Sequence, residues 1–259
     1  MKIIKPYAKI VNVSVSYDPC ENVMTSCDNN ALGFIEWCGR ISHRSEDKQT
    51  SDSYQRFIKA VVIEHGDWSI VEHVSASVDA IVDRGITHEW VRHRLFSYTQ
   101  ESTRFVNYEK KMAPSFIYPQ VDVECEYCLA GNEVQTTDSR NYWHTDSDPN
   151  EDGAECKYNV DWLRGITMCE TSYKRLLQDK WRPQEARSVF PNALASRMIS
   201  TANLRIWRHF FIMRTCAEAH PQMRQITIPL LKEFQETFPI LFDDIVPNEK
   251  QAVAMRKAQ

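Results

Sequence analysis

Glycine is scarce in this chain, and its scarcity limits how phosphate groups could be bound. The 259 residues include only seven glycines. None of them builds the glycine-rich loop by which P-loop and dinucleotide-binding proteins cradle phosphates. Any phosphate must therefore be bound by side chains or by helix N-termini.

A basic excess and a long apolar run are missing as well. Lys and Arg number 31 against 35 Asp and Glu, and the formal net charge is -4. A general nucleic-acid or anionic-membrane binder would normally be basic. No apolar run approaches the roughly 20 residues that span a bilayer, and MKIIKPYAKIVNVSVSYD lacks the apolar core of a signal peptide. We therefore expect a cytoplasmic protein with no nucleic-acid or membrane partner.

Eight cysteines are present, and a cytosolic chain keeps such thiols reduced. Cys125 and Cys128 form a Cys-x-x-Cys pair, which His144 and Cys156 could extend to four zinc ligands. A single pair is a weak signal, because a structural zinc site normally has four ligands. We predict no metal site and keep a zinc-stabilised structural protein as an alternative.

Hydrophobic periodicity predicts an α+β fold with few strands and several long helices. We expect the sheet to be small and mostly antiparallel. Strands are predicted at the N-terminus and where Val74, Ala76, Val78, Ala80 and Val82 alternate on one face. Helices are predicted over residues 28–43, 51–66, 86–98, 157–180, 182–216 and 220–239, and an extended piece over 113–127.

The stretch of about 126–157 differs from the rest of the chain in composition. It is rich in Asp, Asn, Ser and Thr and poor in aliphatic residues. Such a composition is typical of a surface insertion. We predict a single domain over residues 1–259 that carries this acidic insertion.

The segment RHRLFSYTQESTRF, residues 92–105, contains three arginines and no lysine. The planar guanidinium group suits bidentate recognition of phosphate, and the neighbouring hydroxyl groups add neutral donors. The pattern predicts Arg92 to Arg94 on a helix and the residues from Gln100 to Arg104 in a loop. A solvated helix face followed by a polar turn accounts for the same residues from physics alone.

A second arginine group lies in ANLRIWRHFFIMR, residues 202–214. Helical spacing places Leu204, Trp207, Phe211 and Arg214 close to one apolar face. An arginine on such a face is costly unless it is paired or binds a ligand. Arg214 is therefore a stronger functional candidate than Arg205. For His209, a core histidine bonded to a backbone carbonyl is the alternative.

RHRLFSYTQESTRF resembles the signature of the flavin-dependent thymidylate synthases, Arg-His-Arg-x-x-Ser-x-Asn-x-x-Ser-x-Arg. Six positions match, and Thr99 stands where the signature has Asn. The matching residues are Arg92, His93, Arg94, Ser97, Ser102 and Arg104. HGDWSIVEH, EARSVFPN and TANLRIWRHFFIMR are similar to further segments of the family, in the same order along the chain.

The resemblance implies reductive methylation of dUMP to dTMP, with methylenetetrahydrofolate as carbon donor, FAD as redox cofactor and NADPH as reductant. It also implies a homotetramer with active sites between subunits and no cysteine nucleophile. The implied FAD-binding residues are Ser69, Arg92, His93, Arg94, Gln100, Asn203, Leu204, Arg205 and His209. The implied dUMP-binding residues are Glu89, Arg92, Gln100, Glu101, Ser102, Thr103, Arg104, Arg187 and Arg214. Arg214 is the implied catalytic residue, which polarises the uracil ring.

Two alternatives to this function remain open at this point. A related flavin-dependent enzyme could modify C5 of the pyrimidine differently, for example by hydroxymethylating dUMP. A non-enzymatic protein could use both arginine groups to bind nucleic acid, although the net charge of -4 disfavours that class.

Overall fold

The computed structural model describes residues 1–14, 16–18, 23–25, 30–110, 113–129, 134–137, 141–144 and 157–247. The predicted α+β class is confirmed. The strands are β1 (Lys2–Ile3), β2 (Tyr7–Val13), β3 (Ser16–Asp18), β4 (Val23–Thr25), β5 (Ser75–Asp83), β6 (Ser97–Gln100), β7 (Ser115–Phe116), β8 (Val134–Thr137), β9 (Asn141–His144) and β10 (Ala195–Asn203). The helices are α1 (Asn30–Ile41), α2 (Tyr54–Ile58), α3 (Arg84–Trp90), α4 (Glu126–Leu129), α5 (Val160–Gln178), α6 (Pro183–Ala186), α7 (Leu204–Arg214) and α8 (Pro221–Thr237).

The largest sheet has four strands in the order β2-β5-β10-β6. Its central strands β5 and β10 are antiparallel, because residue numbers rise along β5 in the direction in which they fall along β10. Leu204 N donates to the Val74 carbonyl at 2.9 Å, whereas Arg84 N donates to the Leu194 carbonyl at 3.1 Å. Smaller pairs are formed by β1 with β7, in parallel, and by β3 with β4 and β8 with β9, both antiparallel.

The chain divides into two compact units. The first unit comprises Met1–Tyr7, Ile81–Trp90 and Gln100–Met198. The second unit comprises Ala8–Ala80, Val91–Thr99 and Ile199–Gln259. Strands β5, β6 and β10 each contribute residues to both units. The single-domain assignment made from the sequence stays a prediction.

Each unit has its own apolar core. In the first unit, Tyr108, Phe116 and Tyr173 are at most 4% exposed and pack in one cluster. In the second unit, α7 packs against α8 through aromatic rings, with Trp207 and Phe234 tilted against each other at a centroid distance of 5.1 Å. Burying one such side chain stabilises the folded state by about 1.5–3 kcal/mol. These clusters therefore hold Tyr108 in the first unit and α7 in the second unit in place, and the candidate site depends on both.

The predicted alternating face of β5 is confirmed. Val74, Ala76, Val78, Ala80 and Val82 are each at most 1% exposed. The face is continuous because successive side chains of a strand point to opposite sides. This central strand therefore forms part of the buried framework.

Both central strands continue directly into a helix without an intervening loop. The last residue of β5, Asp83, accepts a hydrogen bond from Ile86 N at 3.0 Å. The last residue of β10, Asn203, accepts one from Ile206 N, also at 3.0 Å. In each case the strand's final side chain satisfies an N–H group of the first helical turn, as an N-cap does.

The helix predicted over residues 182–216 is wrong over its middle part. Residues Ala195–Asn203 form β10, and a helix begins again only at Leu204. Ala and Met favour helices, but here Met198, Ser200 and Ala202 are buried while alternate residues are more exposed. Pairing with β5 thus overrides local helix propensity.

The helix predicted over residues 86–98 ends earlier than expected. α3 stops at Trp90, so Arg92, His93 and Arg94 lie in turns and not on a helix. The His93 carbonyl accepts a hydrogen bond from Phe96 N at 3.2 Å and one from the Tyr98 hydroxyl at 2.8 Å. These bonds close a turn in place of the next helical bond, and the chain then enters β6.

The predicted acidic insertion is described only in part. Within it, α4 and the hairpin of β8 and β9 have defined positions. Residues 130–133, 138–140 and 145–156 lie outside the described residues. In the part of the chain that the structure describes, no helix combines the length and apolarity needed to cross a membrane.

Candidate functional site

The segment of residues 92–105 divides between the two units after Thr99. All predicted FAD-binding residues except Gln100 belong to the second unit. The predicted dUMP-binding residues except Arg92 and Arg214 belong to the first unit.

In the second unit, Arg214 and His93 form a direct hydrogen bond across 121 residues of sequence. Arg214 Nε donates to His93 Nε2 at 2.9 Å. Arg214 is the last residue of α7 and is half-buried, as is His93. Because an arginine side chain can only donate, His93 Nε2 must carry a lone pair, and the ring proton then sits on Nδ1.

Aromatic rings hold the imidazole of His93 in place. Phe210 meets it edge-on at a centroid distance of 4.9 Å, and Phe96 does so at 6.2 Å. His209 lies at 6.3 Å in a similar orientation. The ring is therefore fixed by packing from α7 and from its own turn.

Burial, together with the nearby Arg214 and His209, lowers the pKa of His93 from 6.5 to about 4. Burial acts because it penalises the charged imidazolium, and the cation of Arg214 repels a second positive charge. The imidazole is therefore neutral at physiological pH. This protonation state is the one that the hydrogen bond from Arg214 requires.

Three more of the predicted FAD-binding residues, Asn203, Leu204 and Arg205, lie at the start of α7. Arg205 is exposed and pairs with Glu72 at 2.5 Å, and Asn203 caps the helix while Leu204 is buried. Ser69 and His209 are exposed, so the alternative of a core histidine at position 209 is wrong.

Arg92 and Arg94 are also exposed, and among the described residues neither has a carboxylate partner. Two exposed guanidinium groups with no carboxylate partner among the described residues suit the diphosphate of a dinucleotide such as FAD. The donor chemistry of this unit thus fits the predicted cofactor, with side chains in place of a glycine-rich loop.

In the first unit, Gln100 is held by two buried hydroxyl groups. Its Nε2 donates to Thr87 Oγ1 and to Ser196 Oγ, each at 3.1 Å. Thr87 and Ser196 are at most 1% exposed. The amide of Gln100 is therefore held in one orientation by hydrogen bonds to α3 and β10.

Glu101 follows at the edge of the same sheet. Its backbone N–H donates to the Arg197 carbonyl at 2.8 Å, and its carboxylate accepts from the Tyr108 hydroxyl at 2.6 Å. Burial, followed by the hydrogen bond to Glu101, raises the pKa of Tyr108. The Tyr108 hydroxyl therefore stays protonated and donates the hydrogen bond that orients the Glu101 carboxylate.

Two arginines, Arg187 and Arg104, belong to the same unit as Glu101. Arg187 Nη1 donates to Thr103 Oγ1 at 2.9 Å, and Arg104 Nε donates to Gln184 Oε1 at 3.1 Å. Both arginines are exposed and bonded to neutral groups in these contacts. Their charge is not compensated by these partners, which suits them to bind a phosphate dianion.

The remaining predicted residues of the first unit are Ser102 and Glu89. Ser102 Oγ accepts from Arg104 N at 3.3 Å within its turn, and Glu89 is half-buried near the end of α3. Sequence reasoning missed Tyr108 and Gln184, the partners of Glu101 and Arg104. No periodic pattern or motif marks either residue, because both contacts arise from tertiary folding.

The cysteine pair considered for zinc lies in an apolar cluster. Cys125 and Cys128 pack there with Tyr118, Tyr158 and Leu163. Within the described residues, no three His, Cys, Asp or Glu side chains come together in a way that could hold a metal. Cys156 and the side chain of His144 lie outside the described residues.

Comparisons with known proteins agree with the signature. A family model described as "Thymidylate synthase complementing protein" matches residues 23–240. The flavin-dependent thymidylate synthase of Corynebacterium aurimucosum is 32% identical over 213 residues, and that of Mycobacteroides abscessus is 31% identical over 218 residues. Each alignment covers 81% of this chain and 78% of the relative.

Among solved structures, the UMP/dUMP methylase PolB from Streptomyces cacaoi shares the fold. Its structure bound with 5-Br dUMP matches with a TM-score of 0.63 at 18% identity, over 94% of this chain and 96% of that chain. Its structure bound with 5-Br UMP gives a TM-score of 0.61 at 17% identity. The family model spans most of the chain, and the flavin-dependent thymidylate synthases of Corynebacterium aurimucosum and Mycobacteroides abscessus are more than 30% identical to it. The chain therefore belongs to the flavin-dependent thymidylate synthase family.

Proposed function

We propose that this protein catalyses the reductive methylation of dUMP to dTMP, with methylenetetrahydrofolate as carbon donor and NADPH as reductant. The observation that carries the proposal is the half-buried guanidinium of Arg214, whose Nε is bound by a neutral imidazole. Such a contact orients the arginine without neutralising it. A fixed cation of this kind suits a reaction in which negative charge develops on the substrate.

FAD is the cofactor of this reaction in our proposal. Arg92 and Arg94 would hold its diphosphate, and Ser69, Asn203 and His209 would supply further polar contacts. The group, when bound, supplies the two-electron redox chemistry of the methylation. The absence of a glycine-rich fingerprint in the sequence means that this binding differs from that in Rossmann folds.

The dUMP site would be formed by the residues from Gln100 to Arg104, with Arg187 and Glu89. Arg187 and Arg104 are positioned by Thr103 and Gln184 and would bind the phosphate. Gln100 and Glu101 are each held by hydrogen bonds and would bind the nucleoside. Fixed donors and acceptors favour one nucleotide over its isosteres, because a mismatched ligand leaves buried polar groups unpaired.

Arg214 would stabilise the negative charge that spreads over the uracil N3 and its carbonyl oxygens. A guanidinium group is suited to this because it does not lose its proton in proteins. Activation by charge stabilisation needs no cysteine nucleophile. Arg92 would contact dUMP as well as FAD.

A homotetramer with active sites between subunits is part of the proposal. Large apolar side chains in the signature segment support it, since Leu95 is 76% exposed and Phe105 is 72% exposed. A second protomer would cover such side chains.

Product identity tests the proposed function directly. Purified protein incubated with dUMP, methylenetetrahydrofolate, FAD and NADPH should convert dUMP to dTMP, detected by mass spectrometry. A hydroxymethylated product would show a related C5 modification in place of methylation. Parallel incubation with UMP would show whether the ribonucleotide is accepted. Formation of no pyrimidine product under saturating conditions would contradict the proposal.

Replacement of Arg214 tests the assigned catalytic residue. Arg214→Ala should lower kcat by about a hundredfold or more, since removing one group that stabilises transition-state charge commonly costs that much. Arg175→Ala, at an exposed position of α5, is the matched control and should retain activity. Near-normal dTMP formation by Arg214→Ala would refute the assigned role.

A further inference from the structure

We propose that His93 is a positioning residue for Arg214, which it directs through a neutral acceptor that leaves the arginine's positive charge intact. The inference deepens the proposed function, because it rests on the role of Arg214 in stabilising charge on the substrate. His93 therefore has a task on the protein side of the site, separate from the predicted contact with FAD.

His93 itself is held rigidly. Its backbone carbonyl accepts two hydrogen bonds, from Phe96 N and from the Tyr98 hydroxyl. Its ring is packed edge-on by Phe210 at 4.9 Å. With both the backbone and the ring restrained, the Nε2 lone pair has a defined direction.

Arg214 is restrained at its backbone as well as at its side chain. Its backbone carbonyl accepts a hydrogen bond from Thr227 Oγ1 on α8 at 2.8 Å. The side chain is then fixed at Nε by His93 at 2.9 Å. In this contact His93 engages the Nε of Arg214.

The acceptor on His93 is a neutral nitrogen and not a carboxylate oxygen. A carboxylate at the position of His93 would also bind Nε, but its negative charge would cancel much of the field of Arg214. A neutral imidazole accepts the same hydrogen bond and adds no opposing charge. The groups that act on the ring electrostatically are Arg214 and His209 on α7, and Arg92 and Arg94 adjoin it in the sequence. Burial of the ring, together with the nearby Arg214 and His209, keeps the imidazole unprotonated.

Two substitutions of His93 separate acceptor chemistry from mere packing. In His93→Gln the amide oxygen can accept from Arg214, whereas His93→Leu fills similar space without an acceptor. At saturating FAD, we expect His93→Leu to lower kcat and kcat/KM alike, by roughly 10- to 100-fold, since hydrogen bonds to charged groups are worth that much. His93→Gln should recover most of the loss. Equal losses in both variants, or no loss in either, would overturn the proposal.

A double substitution tests whether His93 acts through Arg214. In an Arg214→Lys background, replacing His93 by Leu should cause little further loss of kcat, because lysine has no Nε–H to be directed in this way. Independent, multiplicative losses would count against the coupling. His88→Gln, at an exposed histidine of α3, is the matched control for handling and folding.

Nitrogen NMR of the protein without substrate gives a readout that does not involve turnover. We expect the His93 signals at neutral pH to show protonated Nδ1 and unprotonated Nε2, with the Arg214 Nε–H shifted on replacement of His93 by Leu. A protonated Nε2 would overturn the proposal even if the variants fold poorly. If Arg214→Ala remains fully active, the proposed role of Arg214 fails. If Arg214→Ala is inactive but His93→Leu is normal, only the positioning role fails.

Discussion

At the scale of single residues, the depressed pKa of His93 has a consequence for stability. The folded pKa is about 4 and the ordinary value is 6.5, so the unfolded chain binds more protons between these two pH values. Stability from this group is therefore complete above pH 6.5 and is lost as the pH falls through 4. We expect urea unfolding free energies of the native protein to rise with pH in this window more steeply than those of His93→Gln. Parallel curves for the two proteins would contradict this expectation.

The hydrogen bond between Tyr108 and Glu101 gives a second prediction for single residues. Tyr108 is 4% exposed and donates to a carboxylate at 2.6 Å. Tyr108→Phe should lower the free energy of unfolding by roughly 1.5–3 kcal/mol, as expected for a bond to a charged group. Tyr173→Phe is the control, because that buried hydroxyl accepts only a 3.4 Å contact. A larger loss in the control, measured by urea denaturation, would argue against the assigned strength.

Individual site residues were predictable to the extent that they lie in a recognisable segment. The signature identified His93 and Arg104, and the apolar spacing of α7 identified Arg214. Their partners were not predictable, because Arg214 meets His93 across 121 residues and Arg104 meets Gln184 across 80. Such pairs depend on the tertiary fold, which no local spacing encodes.

At the scale of elements, two asparagine caps allow stability and binding to be separated. Asn159 caps α5 by accepting from Asp161 N and Trp162 N, both at 3.0 Å, and Asn203 caps α7 in the same manner. Replacing either by Ala should lower the free energy of unfolding by about 1 kcal/mol. Only Asn203→Ala should also weaken FAD binding, measured by flavin fluorescence. An equal effect of Asn159→Ala on FAD would argue against the assigned cofactor residues.

The two central strands show which elements the sequence could predict. Apolar residues occupy every second position from Val74, just before β5, to Val82 near its end, so this pattern has the period of a strand. On β10 the buried positions include Ser200 and Ala202, which are small and weakly hydrophobic. The alternation is thus in burial and not in hydrophobicity, and a helix was predicted in error. Pairing with β5, which the local pattern does not show, makes this segment a strand.

At the scale of the whole molecule, the proposed tetramer is measurable. One chain has a mass of 30.2 kDa, and light scattering of the purified protein should give about four times that value. Leu95→Glu should reduce this mass, since a charge at a covered apolar position opposes association. Arg175→Glu, on the exposed side of α5, should leave it unchanged. A native mass of one chain would refute the tetramer.

The segment of about 126–157 provides a test at the same scale. Its two described strands pair with each other and with no other described strand. Deleting residues 132–152 should therefore leave FAD binding intact and lower the unfolding temperature little. Binding measured by flavin fluorescence gives the answer, and loss of FAD affinity would show that the insertion belongs to the site.

The direct passage of β10 into α7 makes this part of the chain intolerant of changes in length. One residue added within α7 would rotate every later side chain by about 100°, so the position of Arg214 would turn away from His93. One residue added within β10 would exchange its buried and exposed faces. The same holds where β5 continues into α3. Insertions and deletions among homologues should therefore be found in loops and in the 126–157 segment. They should be absent from the junction of β5 with α3 and from that of β10 with α7.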